Sequence, residues 1–400
     1  MSRPVSRIAA HTTIGDGARW VVSRKNLLHN LSLLRQAAGS ELVAVVKANA
    51  YGHGMTGVAD ALFSGDEPTN VPAAFAVASL GEALALPSHD VPTMCLRPAE
   101  LVWAFGGDEA KRIDEAIRRG VWLSVISPEA AGDVARRAER LGSRAMVQVM
   151  LDTGMSREMC VPERFSETID AVLRQPALKL VGLGTHLTDG ELADEPYSDD
   201  QIWLFHEALA PVEDRLPRGV VRHVANSGGT LAGHGAADGC DLARVGLALY
   251  GIHPDDRAVS TSPLKPVGKL VAPILALRDV PAGASVGYNR TFVARRPTRI
   301  ALLPVGYADG YPRALSGQAV VRLPRGGQDD VFCPVVGRVS MDYVTIDVTD
   351  LPDVRPGDEV VLFDDDPTSP CSVQSLATRC GTIPYELLCH IGNRVRREVV

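Results

Sequence analysis

No stretch of this 400-residue chain approaches the ~20 consecutive apolar residues that a membrane-spanning helix requires, so no membrane contact is expected. Nor is there a basic stripe. The net charge of −7 argues against nucleic acid as a partner. Cys95, Cys160, Cys240, Cys333, Cys371, Cys380 and Cys389 include no CxxC pair, and an odd, unpatterned set fits the reduced thiols of a cytoplasmic protein. The HExxH spacing is missing and the histidines are scattered, so no metal site is expected. Residues 1–20 are polar and mixed, without the apolar core and small-residue cleavage site of a secretory leader. Internal repeats and low-complexity segments are also lacking. Lysine is scarce, and almost all of the 41 basic residues are arginine.

What is present is ordinary for a globular protein: 46% hydrophobic and 22% charged residues. The length suits two domains, or one large barrel with an added module. Continuous apolar runs predict strands over 41–47, 73–78, 93–96, 121–126, 145–151, 178–186, 221–225 and 242–250. Between them, helical patterns fall at 53–63, 80–86, 109–119, 128–141, 161–174 and 200–212. Runs without alternation mean strands buried on both faces, hence a parallel sheet. Eight such units favour an α/β (β/α)₈ TIM-like barrel over 22–264. A doubly wound sheet is the second choice, weakened because no GxGxxG follows the first strand. After Pro263 the helical patterns fade, and turns at 281–283, 324–327 and 355–358 separate short β-rich runs. Residues 265–400, together with 1–21, are therefore expected to form a smaller mainly-β domain with one short helix near 373–379.

Within this framework Lys47 stands out. It ends the first apolar run, where an ammonium is costly to desolvate unless paired or neutralised. One explanation is a stem that snorkels to water. The other is chemical, because a lysine can lose its proton and form a Schiff base with a carbonyl, which arginine cannot. Barrel chemistry lies at the C-terminal ends of the strands. There the sequence also places Arg157, His186, Asn226, Ser227 and Arg244. Asn226, Ser227, Gly228 and Gly229 form either tight turns or a phosphate cradle. Arg157 alone reads as a surface residue, and His186 alone as a satisfied rim histidine. A Schiff-base lysine together with a phosphate cradle suggests pyridoxal 5'-phosphate.

The residues resemble the alanine racemase family. Val-Val-Lys-Ala-Asn-Ala-Tyr-Gly-His-Gly at 45–54 is similar to its cofactor-attachment motif. Segments 152–157, 225–227, 244–251, 286–288, 305–311, 337–342 and 381–385 follow in the family's order and span most of the chain. The resemblance implies that Lys47 carries the cofactor and that Tyr51, Asn226, Ser227, Tyr385 and the backbone at Gly246 and Leu247 surround its phosphate. Arg244 would face the pyridine nitrogen, with His186 helping to place it. Arg157 would contact the cofactor's phenolic oxygen and the substrate carboxylate. Tyr288 would be the second catalytic base, with Tyr307, Met341 and Asp342 at the substrate entrance. Because the family draws Tyr288, Tyr307 and Met341 from the other subunit, a homodimer is implied. The implied reaction interconverts L- and D-alanine through two opposed bases, Lys47 and Tyr288, supplying D-alanine for peptidoglycan.

Departures from the pattern keep alternatives open. Many members carry a carbamate-forming lysine where this chain has Met150, so an anion or another carboxylate must orient Arg157. Glu158 and Met159 replace the usual Leu-Gly, and 185–189 is also altered. A racemase of the same fold acting on another or several amino acids, such as serine, is therefore a second candidate. A non-catalytic cofactor carrier would not need Tyr288, Met341 and Tyr385. A decarboxylase of this plan would need a reactive cysteine that segment 340–342 lacks.

Overall fold

The computed structural model describes residues 17–63, 71–103, 108–190, 197–326 and 329–400. Residues 1–16, which carry most of the expected leader-free segment, and Gly327 of the turn at 324–327 lie outside this set. The first strand, β1 (Arg19–Val22), precedes the barrel. Eight parallel strands then close on themselves: β2 (Glu41–Val45), β3 (Ala74–Val77), β4 (Thr93–Pro98), β5 (Trp122–Val125), β6 (Ala145–Met150), β7 (Leu178–Gly184), β8 (Val221–His223) and β9 (Leu242–Val245). The ring is completed where β2 pairs with β9, from Glu41↔Leu242 to Ala44↔Val245. The expected barrel is thus the observed one. Its strands form where the apolar runs are unbroken; all four residues of Ala74–Val77 are buried.

The helices between strands start where a cap satisfies their first N–H groups. Ser79 and Glu82 make a reciprocal capping box, and Ser127 caps a helix opened by Pro128. In the helix Pro128–Arg140, Ala130, Ala131, Val134, Ala135 and Ala138 form the buried stripe, and small side chains there let it lie close to the barrel. A helix not foreseen from the sequence, Arg24–Ala38, precedes β2; Leu27, Leu31, Leu34 and Ala38 are its buried face.

The second layer is mainly β. Its strands are β10 (Gly268–Pro273), β11 (Ala276–Val280), β12 (Ser285–Val286), β13 (Phe292–Val293), β14 (Thr298–Leu303), β15 (Val320–Leu323), β16 (Val331–Pro334), β17 (Val344–Asp347), β18 (Glu359–Phe363) and β19 (Arg396–Val399). Six strands form one sheet in the order β16-β15-β18-β10-β1-β19. β1 lies antiparallel to β10 and parallel to β19, so strands from opposite ends of the sequence are neighbours. The expected short helix appears as Val373–Cys380, and a second, Pro384–Cys389, follows it. Trp20 of β1 is fully buried and sets its ring edge-on against His53 and Phe363, joining sheet to barrel. No helix among the described residues is long and apolar enough to cross a membrane.

Candidate active site

The first apolar run stops sooner than the sequence suggests. Strand β2 ends at Val45, and the Val46 N–H makes a last bond to the Ala76 carbonyl at 2.9 Å. Lys47 therefore begins a turn instead of ending a strand. Ala48, Asn49, Ala50 and Tyr51 all have φ between 51° and 55°, forming one left-handed turn. For L-residues this costs roughly 1–2 kcal/mol each, so it must be imposed from outside. Glu82 Oε1 accepts from Ala48 N at 2.8 Å, Asn49 Oδ1 accepts from Met55 N at 2.8 Å, and Arg397 Nε donates to the Gly52 carbonyl at 3.1 Å. Gly52 has φ 83°, and a Cβ there would stand 1.9 Å from the Leu388 carbonyl oxygen. The helix Pro384–Cys389 rests directly on the turn, which brings Tyr385 to Tyr51 with ring centroids 6.1 Å apart.

The strain has a pattern. Among the described residues, the non-glycine positions with positive φ are 48–51, Ser156, Asn289 and Arg290. They adjoin Lys47, Arg157 and Tyr288, three residues singled out from the sequence. Backbone strain persists where surrounding structure over-determines it, and it concentrates at functional sites.

Arg244 leaves β9 into the barrel mouth and is buried. Its NH1 donates to the His223 carbonyl (2.5 Å) and to His223 Nδ1 (2.7 Å). NH2 donates to the Thr185 and Val224 carbonyls (2.6 and 3.2 Å) and to His186 Nδ1 (3.1 Å). The Nε–H donates to none of the described residues. A guanidinium only donates, so both histidines accept at Nδ1 and carry their proton on Nε2. Burial lowers Arg244 to about 10, which leaves it charged at neutral pH. Burial, then the charges of Arg244, Arg157 and Lys47, pushes His186 down to about 3. Burial and Arg244 hold His223 far below the usual histidine range. Lys47 is likewise held below the ordinary lysine range, by burial first and by Arg157 next, with Glu82 opposing. These mutual effects place Lys47, Arg157, His186 and Arg244 in one region.

A second cluster lies beside it. Ser227 Oγ accepts from Gly246 N (2.8 Å) and Ala248 N (3.3 Å), gathering N–H groups at the start of the Leu247–Tyr250 turn. Tyr51 Oη lies 2.3 Å from where a Gly246 Cβ would stand, so only glycine admits the phenol. Asn226 acts as scaffold: its Oδ1 caps Gly229 N and its Nδ2 donates to the Leu187 carbonyl, both at 2.9 Å. Hydroxyls and N–H groups converge here as an anion requires. The free Nε–H of Arg244 supplies a donor for a ring nitrogen, and Lys47 an amine of lowered basicity. Together these groups fit pyridoxal phosphate.

Met150 is buried, and Arg157 Nε lies 3.5 Å from Glu158 Oε2. A neighbouring carboxylate thus meets the arginine. Tyr288, Tyr307, Met341 and Asp342 line a separate open cavity. Among the described residues no hydrogen bond or ring contact links them to the Lys47 group, and Tyr288 is 70% exposed. Asp342 pairs with Arg394 (2.9 Å), which also grips the buried Asp309 at 3.0 Å through two nitrogens. Sequence reasoning did not find His223, Glu82 or Arg397. The Ser79-x-x-Glu82 spacing signals a cap, but nothing in it signals the bond to Ala48.

Comparison with known proteins agrees with this geometry. The family model for the N-terminal domain of alanine racemase matches residues 22–254, and that for its C-terminal domain matches 267–399. An alanine racemase from Chlorobaculum tepidum is 37% identical over 382 residues, covering 95% of this chain and 94% of its own. One from Syntrophobacter fumaroxidans is 39% identical over 380 residues, covering 93% and 95%. Among solved structures, the alanine racemase of D-cycloserine-producing Streptomyces lavendulae superposes with a TM-score of 0.82 at 30% identity, covering 98% of both chains. That of Bartonella henselae, described with covalently bound pyridoxal phosphate, gives 0.77 at 30% identity, covering 96% of this chain and 99% of its own.

Proposed function

The chain belongs to the alanine racemase family, and we propose that it interconverts L- and D-alanine by two-base proton transfer, as a homodimer with shared active sites. It is an isomerase that uses pyridoxal phosphate. The observation that carries the proposal is the convergence of Lys47, Arg157, His186 and Arg244 at the barrel mouth, next to the Tyr51–Ser227–Gly246 cradle.

When bound, the cofactor supplies an electron sink for charge developing at the substrate Cα. Tyr51, Ser227, Tyr385 and the N–H groups of Gly246 and Leu247 hold the phosphate, on a frame that Asn226 braces. Arg244 would offer its Nε–H to the ring nitrogen and, being reluctant to release a proton, would favour an unprotonated ring nitrogen. Arg157 binds the substrate carboxylate. Lys47 Nζ takes or returns the Cα proton on one face, its pKa held below the ordinary lysine range by burial and by Arg157. Tyr288 Oη of a second copy does the same on the other face. The exposure of Tyr288, Tyr307 and Met341 supports this division between copies. The role proposed for this reaction is the supply of D-alanine for peptidoglycan in the cytoplasm.

The test is D-amino acid formation from a panel of L-amino acids, with the visible absorbance of the cofactor-loaded protein. Alanine is expected to be the best substrate, and Lys47→Ala to abolish both the lysine-bound absorbance and turnover. A wild-type protein that takes up cofactor yet leaves alanine untouched overturns the proposal. Preferential turnover of serine would favour the second reading, which Met150 motivates.

A further inference from the structure

We infer that Gln148 is a positioning residue for Arg244, acting through one buried water and the His223 ring; this rests on the proposed role of Arg244 at the cofactor. The reasoning begins with proton direction. The Cys95 carbonyl can only accept, so Ser124 Oγ donates its single proton there, at 2.8 Å. Ser124 must then accept from Gln148, whose Nε2 lies 2.9 Å away. That fixes the amide: Gln148 Oε1 points the other way. It is buried and has no partner among the described residues. On the opposite side, Arg244 occupies His223 Nδ1, so His223 presents Nε2–H. This atom too is buried without a partner. Both residues are 0% exposed. One orphan is an acceptor and the other a donor.

Both border the same glycine. Gln148 pairs with Gly182 across β6 and β7. A Cβ on Gly182 would stand 3.1 Å from His223 Nε2 and 3.5 Å from Gln148 Cβ. The volume that a side chain would fill at this point is bounded by His223 Nε2 on one side and by the base of the Gln148 side chain on the other. Gly184, two residues on, makes room for the same ring, since its Cβ would meet His223 Nδ1 at 2.4 Å. A water beside Gly182 accepts from His223 Nε2–H and donates to Gln148 Oε1, as buried waters do between otherwise unpaired groups. The polar chain then runs from the Cys95 carbonyl through Ser124, Gln148, the water and His223 to Arg244. It locks the His223 tautomer and ring plane, and so the direction of the Arg244 Nε–H.

The experiment uses the cofactor-loaded protein, with wild-type racemisation measured in the same preparation. Two variants attack the water separately: Gln148→Met removes its acceptor, and Gly182→Ala fills its place while both polar atoms are kept, its methyl standing 3.1 Å from His223 Nε2. Each is expected to lower kcat about tenfold in both directions with little change in KM. Each should also shift the visible absorbance maximum of the bound cofactor while thermal stability stays within a few degrees. A crystal structure of the loaded wild type should show one water within hydrogen-bond distance of His223 Nε2 and Gln148 Oε1. Unchanged kcat and absorbance in a folded variant, or no water bridging the two atoms, overturns the inference. Failure of wild-type racemisation would instead count against the proposed function.

Discussion

The barrel mouth and the Tyr288 surface carry the two halves of one proposed reaction, and they are built in opposite ways. At the mouth Arg244, His186 and His223 are enclosed, hydrogen-bonded to each other and to backbone carbonyls, and shifted in basicity by burial and neighbouring charge. On the β-rich domain Tyr288, Tyr307 and Met341 stand 70%, 43% and 52% exposed. The loops beneath them are nonetheless firmly tied: Arg394 clamps Asp309 to Asp342, and Tyr307 N and Ala308 N bond the Ser340 and Met341 carbonyls. One half is an enclosed, mutually hydrogen-bonded cluster. The other is a rigid surface presented outward. The difference teaches that an enclosed, charge-tuned cluster and an outward-facing surface can be specified by separate parts of one fold, which the proposed homodimer would join.

That comparison can be broken most severely where the two domains touch. Gly52→Ala would drive a methyl to 1.9 Å from the Leu388 carbonyl oxygen at a left-handed φ. The expected cost is more than about 4 kcal/mol, seen as loss of cofactor binding and a sharply lower unfolding midpoint. Unchanged stability would mean that the contact is not rigid.

A smaller effect sharpens the contrast. Tyr288→Phe should leave the visible absorbance of the bound cofactor unchanged while slowing racemisation about 10²–10⁴-fold, with α-deuterium exchange from one enantiomer suffering more. Mixing this variant with Lys47→Ala should then restore about a quarter of wild-type activity, because half of a random mixture is heterodimer with one intact site in two. No recovery on mixing would place both bases in one chain.

The mildest test is acidification. Buried His53 and half-buried His186 are depressed to about 4 and about 3, and buried His223 lies far below its usual range. The unfolded chain takes up protons that these three rings refuse, so native stability falls as pH drops below about 6.5. Between pH 6 and 5 the cofactor-free protein should lose about 4 kcal/mol per pH unit from three such groups at ~1.4 kcal/mol each. Urea unfolding at both pH values measures this, and a flat profile would contradict neutral buried rings.

Much of the barrel was legible because strands buried on both faces leave unbroken apolar runs. The Arg24–Ala38 helix was legible in principle, since Leu27, Leu31 and Leu34 keep helical spacing. The left-handed turn was not legible. Ala-Asn-Ala-Tyr holds no glycine, and the turn is imposed by Glu82 and Arg397, far away in sequence. The rim positions of Lys47, Arg157, His186, Ser227 and Arg244 followed from strand ends, yet their proton directions depended on His223, a fully buried residue with no local motif. The placement of Tyr288 within one chain could not be read from spacing at all, because its proposed use belongs to a second copy.

The pairing of β1 between β10 and β19 also has a consequence for synthesis. On the ribosome, Trp20 emerges early but its last neighbouring strand follows about 375 residues later, roughly 20–75 s at ~5–20 residues per second. The barrel strands can all be present well before that. Until β19 arrives, β1 has an uncovered edge of N–H and C=O groups. The newborn chain thus passes through a period in which β1 keeps one edge open to any other strand it meets.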